Sequence, residues 1–95
     1  MQKLSFYSRH HMKNNILSNR VGCFLRKARK DKNLTGKDVA KLINVSQQQV
    51  SRYETGMTSL TLDQLDQYLI VLDKKWIELF KYMESESIRN KAKTS

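Results

Sequence analysis

A chain of 95 residues with one cysteine, three glycines, no proline and 18 Lys+Arg against 9 Asp+Glu is one small domain, too short for two. The single cysteine excludes an internal disulfide framework and a paired-cysteine zinc site, and the longest apolar run, Leu69-Ile70-Val71-Leu72, excludes a spanning helix. A net charge of +9 on a small chain built for helices points first to nucleic acid and second to an anionic membrane surface.

Residues 1–13, MQKLSFYSRHHMK, show no period. They place Leu4, Phe6 and Tyr7 among basic and polar residues and lack the apolar run of a secretory signal. Residues 1–15 are therefore expected to be a flexible basic arm, and His10-His11 a tail pair rather than a metal site. No metal or cofactor is expected. From Ile16 the pattern is helical: Ile16, Leu17, Val21, Phe24, Leu25 and Ala28 recur at spacings of three and four. Arg20, Arg26, Lys27, Arg29 and Lys30 fill most of the rest of that helix. Cys23 falls at about 200° from Leu25 around it, which predicts a partly exposed, reduced thiol. Asn33 is a left-handed C-cap, with Leu34 packing back under the helix end.

Thr35 is positioned to cap a second helix, with Asp38 three residues on as an approximate capping box. Val39, Ala40 and Ile43 form its buried stripe. Asn44 makes the turn, Val45 plugs it and Ser46 is the next N-cap. Residues 47–54, QQQVSRYE, form the third helix, with Val50 and Tyr53 inward and Gln47, Gln48, Ser51 and Arg52 outward. Thr55-Gly56 ends it. Thr61 caps a fourth helix, and Asp63 complements the dipole of its first turn. Leu62, Leu65, Leu69 and Leu72 are its predicted core stripe. Trp76, Ile77, Phe80 and Met83 give a fifth helix its apolar face. Phe24, Trp76, Tyr82 and Met83 exceed what a small core needs, which predicts a dimer seam on that helix at Trp76, Phe80 and Met83. Residues 16–84 are thus the domain, and residues 85–95 a polar tail that frays or stays disordered.

The charge is unevenly spread. Residues 1–33 carry +8, residues 34–60 carry +1, residues 61–84 carry −2 and residues 85–95 carry +2. One side of the domain is turned to a polyanion. The second and third helices, 36–43 and 47–54, are joined by Asn44-Val45-Ser46, a helix-turn-helix spacing. The short turn makes the third helix cross the second steeply and project its outer face, as major-groove reading requires. Gln47 and Gln48 carry paired donor and acceptor atoms that match adenine, and Arg52 forks onto guanine or clamps a phosphate. The positive N-terminal end of this helix, with Ser46, suits a phosphate.

With these residues in place, the sequence resembles the Cro/C1-type helix-turn-helix domains of bacterial and phage repressors. Residues 21–80, 60 of the 95, follow the family pattern without a gap. The anchors are Gly22, Leu25, Arg26, Arg29, Leu34, Thr35, Val39-Ala40, Val45-Ser46, Val50-Ser51-Arg52, Glu54, Gly56, Leu62, Leu65, Leu72 and Leu79-Phe80. Within the family the chain looks most like the short regulators found with fimbrial operons of enteric bacteria. The resemblance implies an all-α, compact five-helix, lambda-repressor-like DNA-binding domain. It places Gln47, Gln48 and Arg52 at base-contacting positions and Ser46 and Ser51 where phosphate contacts are common. Arg29 and Glu54 fall where some relatives carry an ion pair locking the first helix to the third. Gly36 departs from the pattern, standing where many relatives have a phosphate-holding Gln. Met57, Ser59, Leu60 and Asp73 depart as well. Phosphate clamping is then expected from Lys37, Lys41 and Arg20, with Lys3, Arg9 and Lys13 of the arm.

The expected function is a sequence-specific, DNA-binding transcriptional regulator, a cytoplasmic and nucleoid-associated homodimer on double-stranded DNA with no small-molecule ligand. Two other readings compete: the antitoxin of a toxin–antitoxin pair built on the same domain, and an anionic membrane-surface binder using the arm. An enzyme is not expected, because no nucleophile–base set, paired-carboxylate cleft or phosphate-cradling glycine loop is present.

Overall fold

The computed structural model describes residues 16–94, with side chains described for residues 16–85. These form five helices: α1 Ile16–Asp31, α2 Gly36–Leu42, α3 Gln47–Thr55, α4 Leu62–Val71 and α5 Trp76–Thr94. The described residues contain no strand. The arm and its residues Lys3, Arg9, His10, His11 and Lys13 lie outside the described residues.

With no proline and few glycines, the chain stops its helices with Asn and Asp. Asn33, Asn44 and Asp73 have φ of 60°, 59° and 58°, and Gly56 has φ of 78°. After each of them the next amide reaches back to a carbonyl five residues earlier: Leu34 to Arg29 at 3.1 Å, Val45 to Ala40 at 2.9 Å, Met57 to Arg52 at 2.9 Å and Lys74 to Leu69 at 2.9 Å. This is the Schellman closure, repeated at the ends of α1 to α4. Leu34 and Val45 then fold against the core. Starts are capped as regularly. The Thr35 hydroxyl accepts from the Asp38 amide at 3.0 Å while the Asp38 carboxylate accepts from the Thr35 amide at 2.8 Å. Those hydrogen bonds from Thr35 hold the Asp38 carboxyl below its usual pKa. Thr61 and Gln64 form the same reciprocal pair at the start of α4, and Ser46 accepts from the Gln49 amide at 3.0 Å at the start of α3.

The core is Phe24, Leu25 and Ala28 of α1, Val39, Ala40 and Ile43 from α2, Val50 and Tyr53 of α3, Leu65, Tyr68, Leu69 and Leu72 from α4, and Leu79 of α5. Each fully buried Leu or Val contributes about 1.5–3 kcal/mol of transfer free energy. The predicted stripes of α2 and α3 are buried as expected. Three other expectations are corrected. Leu62, the first residue of α4, is 74 % exposed, and Tyr68, absent from the predicted stripe, is fully buried. The inward row of α4 is Leu65, Tyr68, Leu69 and Leu72, spaced three, one and three, and Leu62 lies beyond its end. On α5 the buried residue is Leu79, while Ile77 and Phe80 are 53 % and 58 % exposed. Apolar residues at 76, 77, 79, 80, 82 and 83 offer two overlapping stripes, and Phe24 selects one by packing on Tyr82 at a centroid distance of 5.4 Å. At the start of α1, Ile16 and Leu17 are exposed rather than part of the core.

The helical backbone of α5 also runs to Thr94, through residues expected to fray. Half of residues 85–94 are Glu, Lys, Arg or Ala and none is glycine or proline, so backbone propensity permits helix even without an apolar stripe.

Candidate nucleic-acid interface

Helix α3 is held on one side and open on the other. Its held side begins with Gly22 of α1. A Cβ on Gly22 would lie 2.5 Å from the carbonyl oxygens of both Tyr53 and Glu54, so only a glycine lets the α1 and α3 backbones approach this closely. Next to that crossing, Arg29 Nε donates to Glu54 Oε2 at 2.7 Å and Arg29 Nη2 to Glu54 Oε1 at 3.0 Å. A third donor, Arg29 Nη1, bonds the Leu34 carbonyl at 2.9 Å, tying the end of α1 into the same cluster. Tyr68 Oη donates to Glu54 Oε2 at 3.1 Å. Glu54 is buried, and its carboxylate is satisfied from two helices. The bidentate geometry is the strong form of the Arg–carboxylate pair. The hydrogen bond to Glu54 pushes the Arg29 pKa further up, and burial first, then the Glu54 charge, pushes the Tyr68 hydroxyl well above its usual value.

Arg29 and Glu54, named from the sequence, are therefore brought together, and Arg29 is turned away from solvent. Tyr68 was missed. The signal existed: Tyr68 stands three residues after Leu65 and four before Leu72, on the helical row that the leucines mark.

On the open side, Gln47, Gln48, Ser51 and Arg52 are all exposed. They make two rows along α3, Gln48 with Arg52 and Gln47 with Ser51, each spaced by four residues. Ser46 is exposed at the helix start; its oxygen accepts from Gln49 and its own hydrogen remains to donate. Lys37 and Lys41 are exposed one turn apart on α2, and Arg20 is half-buried on α1. Cys23 is exposed. An open notch of about 280 Å³ lies where α1, α2 and α3 meet, and Arg26, Gly36, Gln47, Ser51 and Thr55 line it beside the Arg29–Glu54 pair.

The three candidates for a dimer seam are not equivalent. Trp76 is half-buried, donates from Nε1 to Asp66 Oδ1 at 2.8 Å and packs on Phe80 at a centroid distance of 6.1 Å. Met83 is half-buried against the core. Phe80 is the exposed member, next to exposed Ile77. Among the described residues no helix is long and apolar enough to cross a membrane.

Residues 25–79 match the sequence profile of the helix-turn-helix family. No curated protein sequence matches the chain. Solved structures share its fold, two of them as follows. The clp gene regulator ClgR from Corynebacterium glutamicum superposes with a TM-score of 0.75 at 22 % identity, covering 82 % of this chain and 83 % of that one. A single-residue variant of the restriction-modification controller protein C.Esp1396I gives a TM-score of 0.70 at 23 % identity, over 77 % of this chain and 95 % of the other. The match spans more than half of the chain and includes the capped turn, the Arg29–Glu54 pair and the exposed face of α3, so this protein belongs to the Cro/C1-type helix-turn-helix family.

Proposed function

We infer that the chain is a sequence-specific DNA-binding transcriptional regulator that lays α3 in the major groove. The observation that carries this reading is the division of α3. Val50, Tyr53 and Glu54 are locked inward, and Gln47, Gln48 and Arg52 stand outward with their hydrogen-bonding groups exposed. Gln47 and Gln48 are matched to adenine edges and Arg52 to guanine. Ser46, Ser51, Lys37, Lys41 and Arg20 supply phosphate contacts, which set register and salt dependence rather than sequence. The family membership supports the reading, and of the two structural neighbours one is a clp gene regulator and the other a restriction-modification controller protein.

The working unit is a homodimer on a near-palindromic operator at the nucleoid, with the two α3 helices about 34 Å apart. The exposed aromatic Phe80, beside Trp76 and with Met83 one turn on, is the seam.

The test is selection of binding sites from a randomised duplex library, followed by titration of the selected site. Truncating Gln47, Gln48 or Arg52 to Ala is expected to weaken the selected site by about 1–3 kcal/mol and to relax preference at one position each. Equal affinity for all duplexes, unchanged by those substitutions, refutes the reading. A selected site without two-fold symmetry, or a sedimentation mass of one chain at operator-binding concentrations, refutes the dimer.

A further inference from the structure

The notch between α1, α2 and α3 is not used by the fold. Gly36 leaves it open: a Cβ at that position would come no closer than 3.9 Å to Gln47 and Val50, which is ordinary contact. Arg26 stands on its rim, exposed, and joins neither of the ion pairs found among the described residues. The Ser51 hydroxyl takes part in none of the side-chain hydrogen bonds identified there, whereas Thr55 donates its own to the Ser51 carbonyl at 3.0 Å. The one carboxylate at the notch, Glu54, is already neutralised by the bidentate Arg29 and bonded by Tyr68. What remains facing the opening is one guanidinium charge with its forked donors and a hydroxyl. That set fits a phosphate oxyanion.

The geometry points to a phosphate seat: Arg26, with the Ser51 hydroxyl, grips one DNA backbone phosphate in the notch beside the recognition helix. The assignment rests on the DNA-binding reading above, because Ser51 and Thr55, which border the notch, lie on the same helix as the base-reading Gln47, Gln48 and Arg52. It gives Arg26 a role distinct from Lys27 and Lys30, which share its helix and charge but do not line the notch. The seat fixes how deeply α3 enters the groove and carries no sequence preference of its own.

The experiment measures duplex affinity against salt for the full chain and four variants, Arg26→Ala, Arg26→Lys, Gly36→Glu and Lys27→Ala, on the selected site and on random duplex. Loss of one phosphate contact lowers the slope of log affinity against log salt by about 0.9. The deficit of Arg26→Ala relative to the wild type therefore narrows by roughly 3.5-fold between 50 and 200 mM salt. The deficit is equal on both duplexes. Arg26→Lys restores the slope, and Gly36→Glu, which places a carboxylate in open space at the notch, reproduces the loss without unfolding the domain. An unchanged slope in Arg26→Ala and Gly36→Glu overturns the seat while leaving the regulator reading intact. So does an equal slope change in Lys27→Ala, which would make Arg26 one part of a diffuse charge. Slope loss with no preferred sequence supports the seat and refutes sequence-specific reading. A wild-type chain that binds no duplex refutes both. In a parallel arm, inorganic phosphate is titrated into the DNA-free chain. Saturable binding at millimolar phosphate that Arg26→Ala abolishes would reassign the notch to a free anion and overturn the backbone assignment.

Discussion

The two sides of α3 are built on opposite principles. The inward side commits its one carboxylate and its backbone: Glu54 is held by Arg29 and Tyr68, and Gly22 is pressed against the Tyr53 and Glu54 carbonyls. The outward side keeps Gln47, Gln48, Ser51 and Arg52 exposed and uncommitted. The difference explains how a nine-residue helix can be both rigid and reactive. A helix this short is marginal by itself, so its orientation must come from tertiary contacts. Concentrating those contacts on one side leaves the other side for a partner at no cost to the fold.

The contrast is tested most severely at Glu54. Glu54→Ala leaves the Arg29 guanidinium, 13 % exposed as a side chain, without its carboxylate, and is expected to cost about 3–5 kcal/mol in urea unfolding. A cost below 1 kcal/mol would mean that the pair does not hold α3. Gly22→Ala comes next, at about 1–3 kcal/mol, because the added methyl meets backbone rather than a side chain that can move. It should also weaken DNA binding by tilting α3. On the outward side Gln48→Ala is expected to leave the unfolding midpoint within about 0.5 kcal/mol while lowering specific affinity by about 1–3 kcal/mol. If it destabilised the domain as Glu54→Ala does, the two sides would not be separable.

Tyr68→Phe sharpens the comparison from the core side. Removing its hydroxyl takes one donor from Glu54 and costs about 1 kcal/mol at neutral pH. Its pH dependence has a defined sign. Burial and the Glu54 carboxylate raise the folded-state pKa of Tyr68 above the ordinary value of 10.0. The unfolded chain therefore releases this proton first as pH rises. The contribution of Tyr68 is fully present below about pH 10 and is lost above it, at up to about 1.4 kcal/mol per pH unit. Chemical unfolding at pH 9, 10 and 11 should show a steeper alkaline decline for the wild type than for Tyr68→Phe. The smallest effect is at Gly36, whose added Cβ has room: Gly36→Ala is expected to raise stability by about 0.4–1 kcal/mol. A loss there would show that the start of α2 is under strain.

Where the sequence succeeded and failed follows a pattern. Caps were legible because they are local: Thr35 with Asp38, Ser46, Thr61 and the left-handed Asn33 depend only on residues within one turn. The exposed face of α3 was legible because Val50 and Tyr53 fix the rotation of the helix. The face of α5 was not, since two stripes overlapped and the choice lay with Phe24, more than fifty residues upstream in sequence. The arrangement of charge was only half legible. The excess of +8 in residues 1–33 can be counted, and the resemblance set Arg29 aside for Glu54, but that Arg26 opens onto a notch could not be read from the sequence.

By itself the sequence determined the helices, their caps and the glutamine-bearing face, because periodicity and capping act over three or four residues. Tertiary structure alone decided that Arg26 opens onto a notch, that Tyr68 closes the Glu54 cluster, and that Gly22 permits the close crossing. Each of these depends on which helices lie side by side, and only burial makes a hydroxyl, a carboxylate and a missing methyl matter to one another.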